Sequence, residues 1–243
     1  MRNYLKNLSC HYHGNYKKIK QALHQRQQVP DYPIKGDFVC FGEPLYPRSF
    51  YDMVDPPWVL FYKGDITLLQ KACVSMVGSR QPNGYGLKMA HILSEYLAQR
   101  FVIVSGLARG IDTICHQSAL KKGKTIGFLG CGLDIYYPPE NKALIDKMGE
   151  NHLLCSEYPP LTKPLGPHFP IRNRLIVGAS RSLVVIQARH RSGTTSSVTQ
   201  ALENGREVYC VPHCYDDDFG QANNHLIGLG AQILTKENLQ DIV

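Results

Sequence analysis

The chain has 243 residues, 43% of them apolar, and a formal charge of +7, which fits one α/β domain of ordinary size with a small appendage and excludes a largely disordered chain. No run of about 18 apolar residues occurs, excluding a membrane-spanning helix, and residues 1–15 lack the apolar stretch of a signal peptide, so a cytoplasmic protein is expected. Eight cysteines without paired spacing read as reduced core thiols rather than disulfides.

In chain order, residues 1–35 read as a short, basic helical segment. It carries Arg2, Lys6, Lys17, Lys18, Lys20 and Arg26 with no carboxylate before Asp31, either a solvated face or a surface for an anion. Residues 36–72, with Pro44, Pro47, Pro56 and Pro57 in them and Pro30 and Pro33 just before, read as a connecting segment packed on the main domain. From residue 73 to 243, short β-branched runs alternate with amphipathic ones. Strands are expected at 73–77, 102–105, 125–130, 153–156, 183–187, 207–211 and 232–234, with helices at 86–99, 111–121, 141–147, 175–179 and 196–203. That alternation predicts a mostly parallel, Rossmann-like sheet with helices on both faces, which binds ligands beyond the carboxyl ends of its strands.

Three loops at predicted strand ends have the make-up of anion sites: Gly78-Ser79-Arg80, Gly106 to Arg109-Gly110, and Arg191-Ser192-Gly193-Thr194. Small residues let a ligand approach the backbone, and a helix start offers free N–H groups and a positive dipole end. Residues 158–202 contain six Lys or Arg and no Asp or Glu. Within that window, His168-Phe169-Pro170-Ile171-Arg172-Asn173-Arg174 places Pro170 in a first helical turn and two arginines near its positive end, an arrangement that a phosphate relieves. Two readings stand: the arginines hold phosphates, or they pair with carboxylates such as Asp134 or Glu157. Phe169 is likewise either a base-stacking surface or core.

Other motifs carry less. Gly130-Cys131-Gly132 lacks the third glycine of a dinucleotide fingerprint, and Gly123-Lys124-Thr125 precedes a strand rather than a helix, so neither NAD nor ATP hydrolysis is supported and no cofactor is expected. Asp112 and His116 share a helix face as a stabilising pair or a hydrogen-bonded one, with no nucleophile beside them. Asp216, Asp217 and Asp218 read as a solvated run, and Glu157 as a base or an orienting group. Cys210, His213 and Cys214 offer three soft ligands without a second pair at zinc spacing, so no metal site is assigned.

Taken jointly, Val77-Gly78-Ser79-Arg80, residues 105–112, Gly130-Cys131-Gly132-Leu133-Asp134 with Tyr137-Pro138-Pro139-Glu140-Asn141, residues 156–160, Phe169-Pro170 with Arg172-Asn173-Arg174, and Arg191-Ser192-Gly193-Thr194 resemble the successive signatures of the DNA-processing protein A (DprA/Smf) family, over roughly residues 40–243. The resemblance implies a non-catalytic protein that binds and protects single-stranded DNA during natural transformation, assists loading of the RecA recombinase, and forms a homodimer. Its self-association and recombinase surface maps to the stretch holding His225, Leu226, Ile227, Leu229 and Leu234, whose apolar side chains serve equally as core.

Departures accompany the resemblance. Only a shortened N-terminal domain fits before residue 40, no winged helix precedes the end at Val243, Pro212-His213-Cys214 replaces a proline-glycine turn, and Gln187 stands where glutamate is common. The rival from another class is a lysine-decarboxylase-like nucleotide phosphoribohydrolase on a similar sheet. That class carries a glutamate after the glycine-threonine loop, where this chain reads Thr195-Ser196-Ser197-Val198.

Overall fold

The computed structural model describes residues 1–189 and 193–242. Two helices open the chain, α1 (Arg2–His11) and α2 (Tyr16–His24). Strands β1 (Asp37–Cys40) and β2 (Val59–Gly64) follow, and then β3 (Cys73–Val77), α3 (Gly84–Leu97), β4 (Val102–Ser105), α4 (Ile111–Lys122) and β5 (Thr125–Phe128). The chain continues through α5 (Lys142–Asn151), β6 (Leu153–Ser156), α6 (His168–Gly178), β7 (Ser182–Val185), α7 (Gly193–Glu203), β8 (Glu207–Cys210), α8 (Gln221–Gly228) and β9 (Gln232–Ile233).

All nine strands join one sheet in the order β1-β2-β6-β5-β4-β3-β7-β8-β9. The seven from β6 to β9 are parallel, while β1–β2 and β2–β6 are antiparallel. The parallel strands are buried along almost their whole length, except at Glu207 and in β9, because helices cover both faces. Their alternation sorts the core. Val102, Val104, Leu183 and Val185 face one layer with Leu175, Ile176, Val198 and Ala222 of α6, α7 and α8. Ile103, Val184 and Ile186 face the other, with Ala90, Leu93 and Leu97 of α3 and Ile111, Cys115 and Ala119 of α4.

Strand order reverses between β3 and β7: the chain builds outward from β3 through β4, β5 and β6, then returns to β7 and continues through β8 and β9. Such a switch point opens a crevice at the strands' carboxyl ends.

Residues 36–72 differ from the connecting segment expected of them, since they supply β1 and β2 and widen the sheet. The prolines belong to the loop between the two strands, where no ladder hydrogen bond is needed, and their density hides two four- to six-residue strands in the sequence. Helix α1 packs on this extension through Leu5 and Cys10 against Cys40, Val59 and Phe61. Helix α2 closes over it with Ile19 and Ala22.

Candidate nucleic-acid interface

The loops after β3, β4 and β5 meet in a cleft of about 70 Å³ lined by Arg80, Arg109, Arg172, Phe169, Tyr137 and Leu107, room for several waters or one phosphate group. Glycines make the meeting possible. Gly110, the residue before α4, has φ +74°, and a Cβ there would stand 2.4 Å from Ser79 O and 2.8 Å from Arg80 O. Ile111 N donates to Ser79 O at 3.1 Å, so the start of α4 and the turn carrying Arg80 are locked together. Ser79 spends its own groups locally: its N–H donates to Gln187 O, and its hydroxyl accepts from Gln81 N. A Cβ on Gly78 would strike Ile111 at 2.6 Å.

Arg172 is the floor of the cleft. It is 4% exposed, Nη1 donates to Phe128 O, and its buried Nε has no partner among the described residues. Gly106 lies between its guanidinium and the Asp112 carboxylate, for a Cβ at Gly106 would stand 2.4 Å from Asp112 Oδ2 and 2.5 Å from Arg172 Nη1. Burial pushes the Asp112 carboxyl up to about 6, with Arg172 opposing the rise, and burial draws Arg172 below the usual arginine range. A buried cation with unspent donors beside a water-accessible cleft is a site for an anion.

The rim is aromatic. Phe169 lies over Gly130, where a Cβ would touch its ring at 2.9 Å. Its ring stands 5.2 Å from that of Tyr137, and the Arg80 guanidinium sits 5.6 Å over it. His168 stacks on Tyr158 at 4.0 Å and contacts Gly130 O through Nδ1 at 3.1 Å, and partial burial holds its imidazole below the usual range. Arg109 is exposed and hydrogen bonded through Nε to Glu140, which steadies it at the mouth.

Three of the arginines singled out in the sequence thus converge, Arg80, Arg109 and Arg172. Arg174 does not act as a free cation: Nη2 donates to both Glu157 oxygens at 2.6 Å inside the protein. Helix geometry explains the split, because residues two apart on α6 point to different sides. Asn173 bridges α6 to the start of α7 through Gly193 O at 3.5 Å, where Gly193 is exposed and Thr194 buried. Arg191 and Ser192 lie outside the described residues.

Asp112 and His116 are not joined: Asp112 accepts from Ala108 N, whereas His116 contacts Gly106 O and Thr125 Oγ1. His213 has both ring nitrogens engaged, with Asp217 Oδ2 at 2.9 Å and Ile186 O at 3.1 Å, while Cys210 is buried and Cys214 exposed. Among the described residues no group of three or more His, Cys, Asp or Glu side chains is arranged to hold a metal ion. Of the stretch near the C-terminus, Leu234 is 6% exposed and belongs to the core, correcting its assignment to a partner surface. Leu226 and Ile227 are half-buried, and His225 and Leu229 are exposed.

Sequence reasoning missed Tyr137 as a wall of the cleft, Glu140 as the partner of Arg109, and Asp112 as the counter-charge of Arg172. Tyr137 and Glu140 stand in the motif that ends in Asn141, whose side-chain N–H groups donate to Leu107 O and Thr113 Oγ1 and tie that motif to the β4–α4 loop. No helix among the described residues is long and apolar enough to cross a membrane.

Set beside known proteins, residues 37–243 match the family described as DNA recombination-mediator protein A. The DNA processing protein DprA of Streptococcus pneumoniae is 41% identical over 86% of this chain and 72% of its own length, and that of Bacillus subtilis is 44% identical over 90% and 73%. Among solved structures, S. pneumoniae DprA superposes with a TM-score of 0.82 at 38% identity, covering 93% of this chain and 81% of that one. The Helicobacter pylori DNA processing protein A, studied for its single-stranded DNA binding mode, superposes at 0.75 with 31% identity, covering 85% and 94%.

Proposed function

The chain belongs to the DNA recombination-mediator protein A family, and we propose that it binds single-stranded DNA in the cleft at the carboxyl ends of β3, β4 and β5. A backbone phosphate sits between Arg172 and the Arg80 and Arg109 guanidiniums, the packing of Gly110 and Ile111 on Ser79 and Arg80 holds the loops in place around it, and a base stacks on Phe169 against Tyr137. The protein acts by binding, protecting the strand and presenting it to the RecA recombinase, and works as a homodimer. The solved Helicobacter pylori relative, studied for single-stranded DNA binding, supports the choice of ligand.

One observation carries this reading: Arg172 is a buried guanidinium with an unspent donor, next to a water-accessible space lined by two more arginines and an aromatic ring. Hydrolytic chemistry would need a base poised at that space. No Asp or Glu lines that space among the described residues, and Glu140, at its mouth, is paired with Arg109.

A gel-shift titration with single- and double-stranded oligonucleotides of equal length tests the proposal, with the single strand expected to bind more tightly. Arg80→Ala and Arg172→Gln should each flatten the log–log salt dependence by about 0.7, the value of one single-strand phosphate contact. Phe169→Ala should cost about 1–3 kcal/mol of binding, the worth of one stacked base. Parent-like binding by all three variants, or release of free base from adenosine monophosphate, would overturn the assignment.

A further inference from the structure

The N-terminal cations divide into two sets. Arg2 is paired with Glu43, and Lys6 is buried on Asp31 and Tyr32 O. Lys17, Lys18, Lys20 and Arg26 are exposed, and no ion pair among the described residues engages them. Lys17 and Lys18 stand in the first turn of α2, which has no acidic residue and is capped by the neutral Asn15 side chain. Cations at a helix's positive end repel its dipole, and Lys17 and Lys20, three residues apart, repel one another. They share an open groove with Tyr16, Gln21, His24 and one carboxylate, Asp55.

This groove and the cleft have no lining residue in common, and the turn between α1 and α2 stands between them. The turn between α1 and α2 packs on residues behind the cleft: a Cβ on Gly14 would stand 2.6 Å from Glu157 O and 3.4 Å from the Tyr158 ring. Tyr158 stacks on His168, the residue before Phe169. His13 is exposed at that turn and close enough for its charge to act on His168. Tyr16, the first residue of α2, feels both Arg174 and Glu157 and stacks on Trp58 at 5.7 Å with the rings 13° apart. Close packing therefore connects Phe169, through His168 and Tyr158, to residues 13–14 and the start of α2, with His13 exposed at the turn. Of the two acids beside it, Glu157 is neutralised by Arg174, while Asp55 lines the groove itself and acts on Tyr16.

We infer that a single strand leaving the cleft continues over the α1–α2 turn onto the exposed face of α2, where Lys17 and Lys20 take two further backbone phosphates. This rests on the reading of the cleft as a single-stranded DNA site, extends its footprint to residues that precede the family match at residue 37, and makes binding depend on strand length. The contact is with phosphate and so is indifferent to base.

The test compares oligo-dT of about 5 nucleotides, near the lower limit of single-strand site sizes, with oligo-dT of about 20, beyond the upper one. The full chain and the double variant Lys17→Gln/Lys20→Gln are titrated against each across a salt series, with melting temperatures measured alongside. For the long strand, the variant should show a salt slope about 1.4 shallower than the parent, two contacts at about 0.7 each. That slope difference makes binding about 25-fold weaker at 0.1 M salt relative to the 1 M extrapolation. For the short strand the two proteins should bind alike, while Arg80→Ala weakens both lengths.

Equal slopes on the long strand would overturn the inference while leaving the cleft in place. So would an equal loss on both lengths, since the lysines would then act within the cleft or through the fold. A parent that binds neither oligonucleotide overturns the reading of the cleft, and this one with it.

Discussion

At the level of single residues the cleft turns on Arg172 and Asp112, held apart by a glycine too crowded for a side chain. Burial raises the Asp112 carboxyl from 3.8 to about 6, so between those values the folded chain holds a proton that the unfolded chain has released. Stability contributed by this group therefore falls as pH rises through that window, by about 3 kcal/mol in total. Asp112→Asn should remove this component, seen as a smaller stability difference between parent and variant near pH 4 than near pH 7 in paired urea melts. Binding follows the same proton. Losing the carboxylate charge beside Arg172 makes the cleft more cationic, so affinity for oligo-dT should rise as pH falls through about 6 and lose most of that rise in Asp112→Asn. Burial holds the His168 imidazole below its usual range, and it is present in both proteins, so the difference between them isolates Asp112. An unchanged pH profile in the variant would remove Asp112 from the account.

Among the elements, the loop that opens α4 matters most, because Gly110 fixes where Arg80 stands. Gly110→Ala places a methyl against Ser79 O and Arg80 O at a positive φ, which should cost about 1–3 kcal/mol of stability. Because the turn carrying Arg80 has to move, oligo-dT affinity should fall as well. Gly84, at the start of α3, has no heavy atom within 4 Å of an added Cβ, so Gly84→Ala should melt at or slightly above the parent temperature and bind normally. Equal melting temperatures for the two variants would refute the strain argument. The contrast also shows what a sequence can yield. The glycine and arginine loops were legible because strand periodicity placed them at strand ends, and the ordering of β3, α3, β4, α4 and β5 followed from apolar alternation. Strands β1 and β2 were not, because their burial runs from one end to the other instead of alternating, exposed to buried along β1 and buried to exposed along β2, beside a proline-rich loop. The separation of Arg172 from Arg174 was also hidden, since it depends on which carboxylate, Asp112 or Glu157, the fold brings to each.

On the scale of the whole molecule, a nine-stranded sheet has two edges, β1 and β9. Helix α1 lies against β1 and Arg2 donates to Phe38 O, so the first edge is covered by the chain itself. The other ends in a two-residue strand with both residues exposed, Ile233 at 45%, preceded by Leu229 at 71% exposure. An apolar, exposed strand end of this kind offers a surface for a second chain, with its Ile233 carbonyl already taken by Asn238 Nδ2 at 2.7 Å. For the homodimer we propose a contact at Leu229 and the β9 end, with Leu226 and Ile227 behind them packed on the core. Leu229→Glu adds a charge where it meets only solvent in the monomer, so the folded protomer should keep its melting behaviour while sedimentation shifts from dimer toward monomer. Leu234→Ala makes the opposite statement: it opens a cavity in a buried position and should destabilise the fold by about 2–5 kcal/mol, with association lost only as folding is lost. If Leu229→Glu sediments as the parent does, the dimer contact lies elsewhere on the surface, and the β9 edge is closed by a different partner.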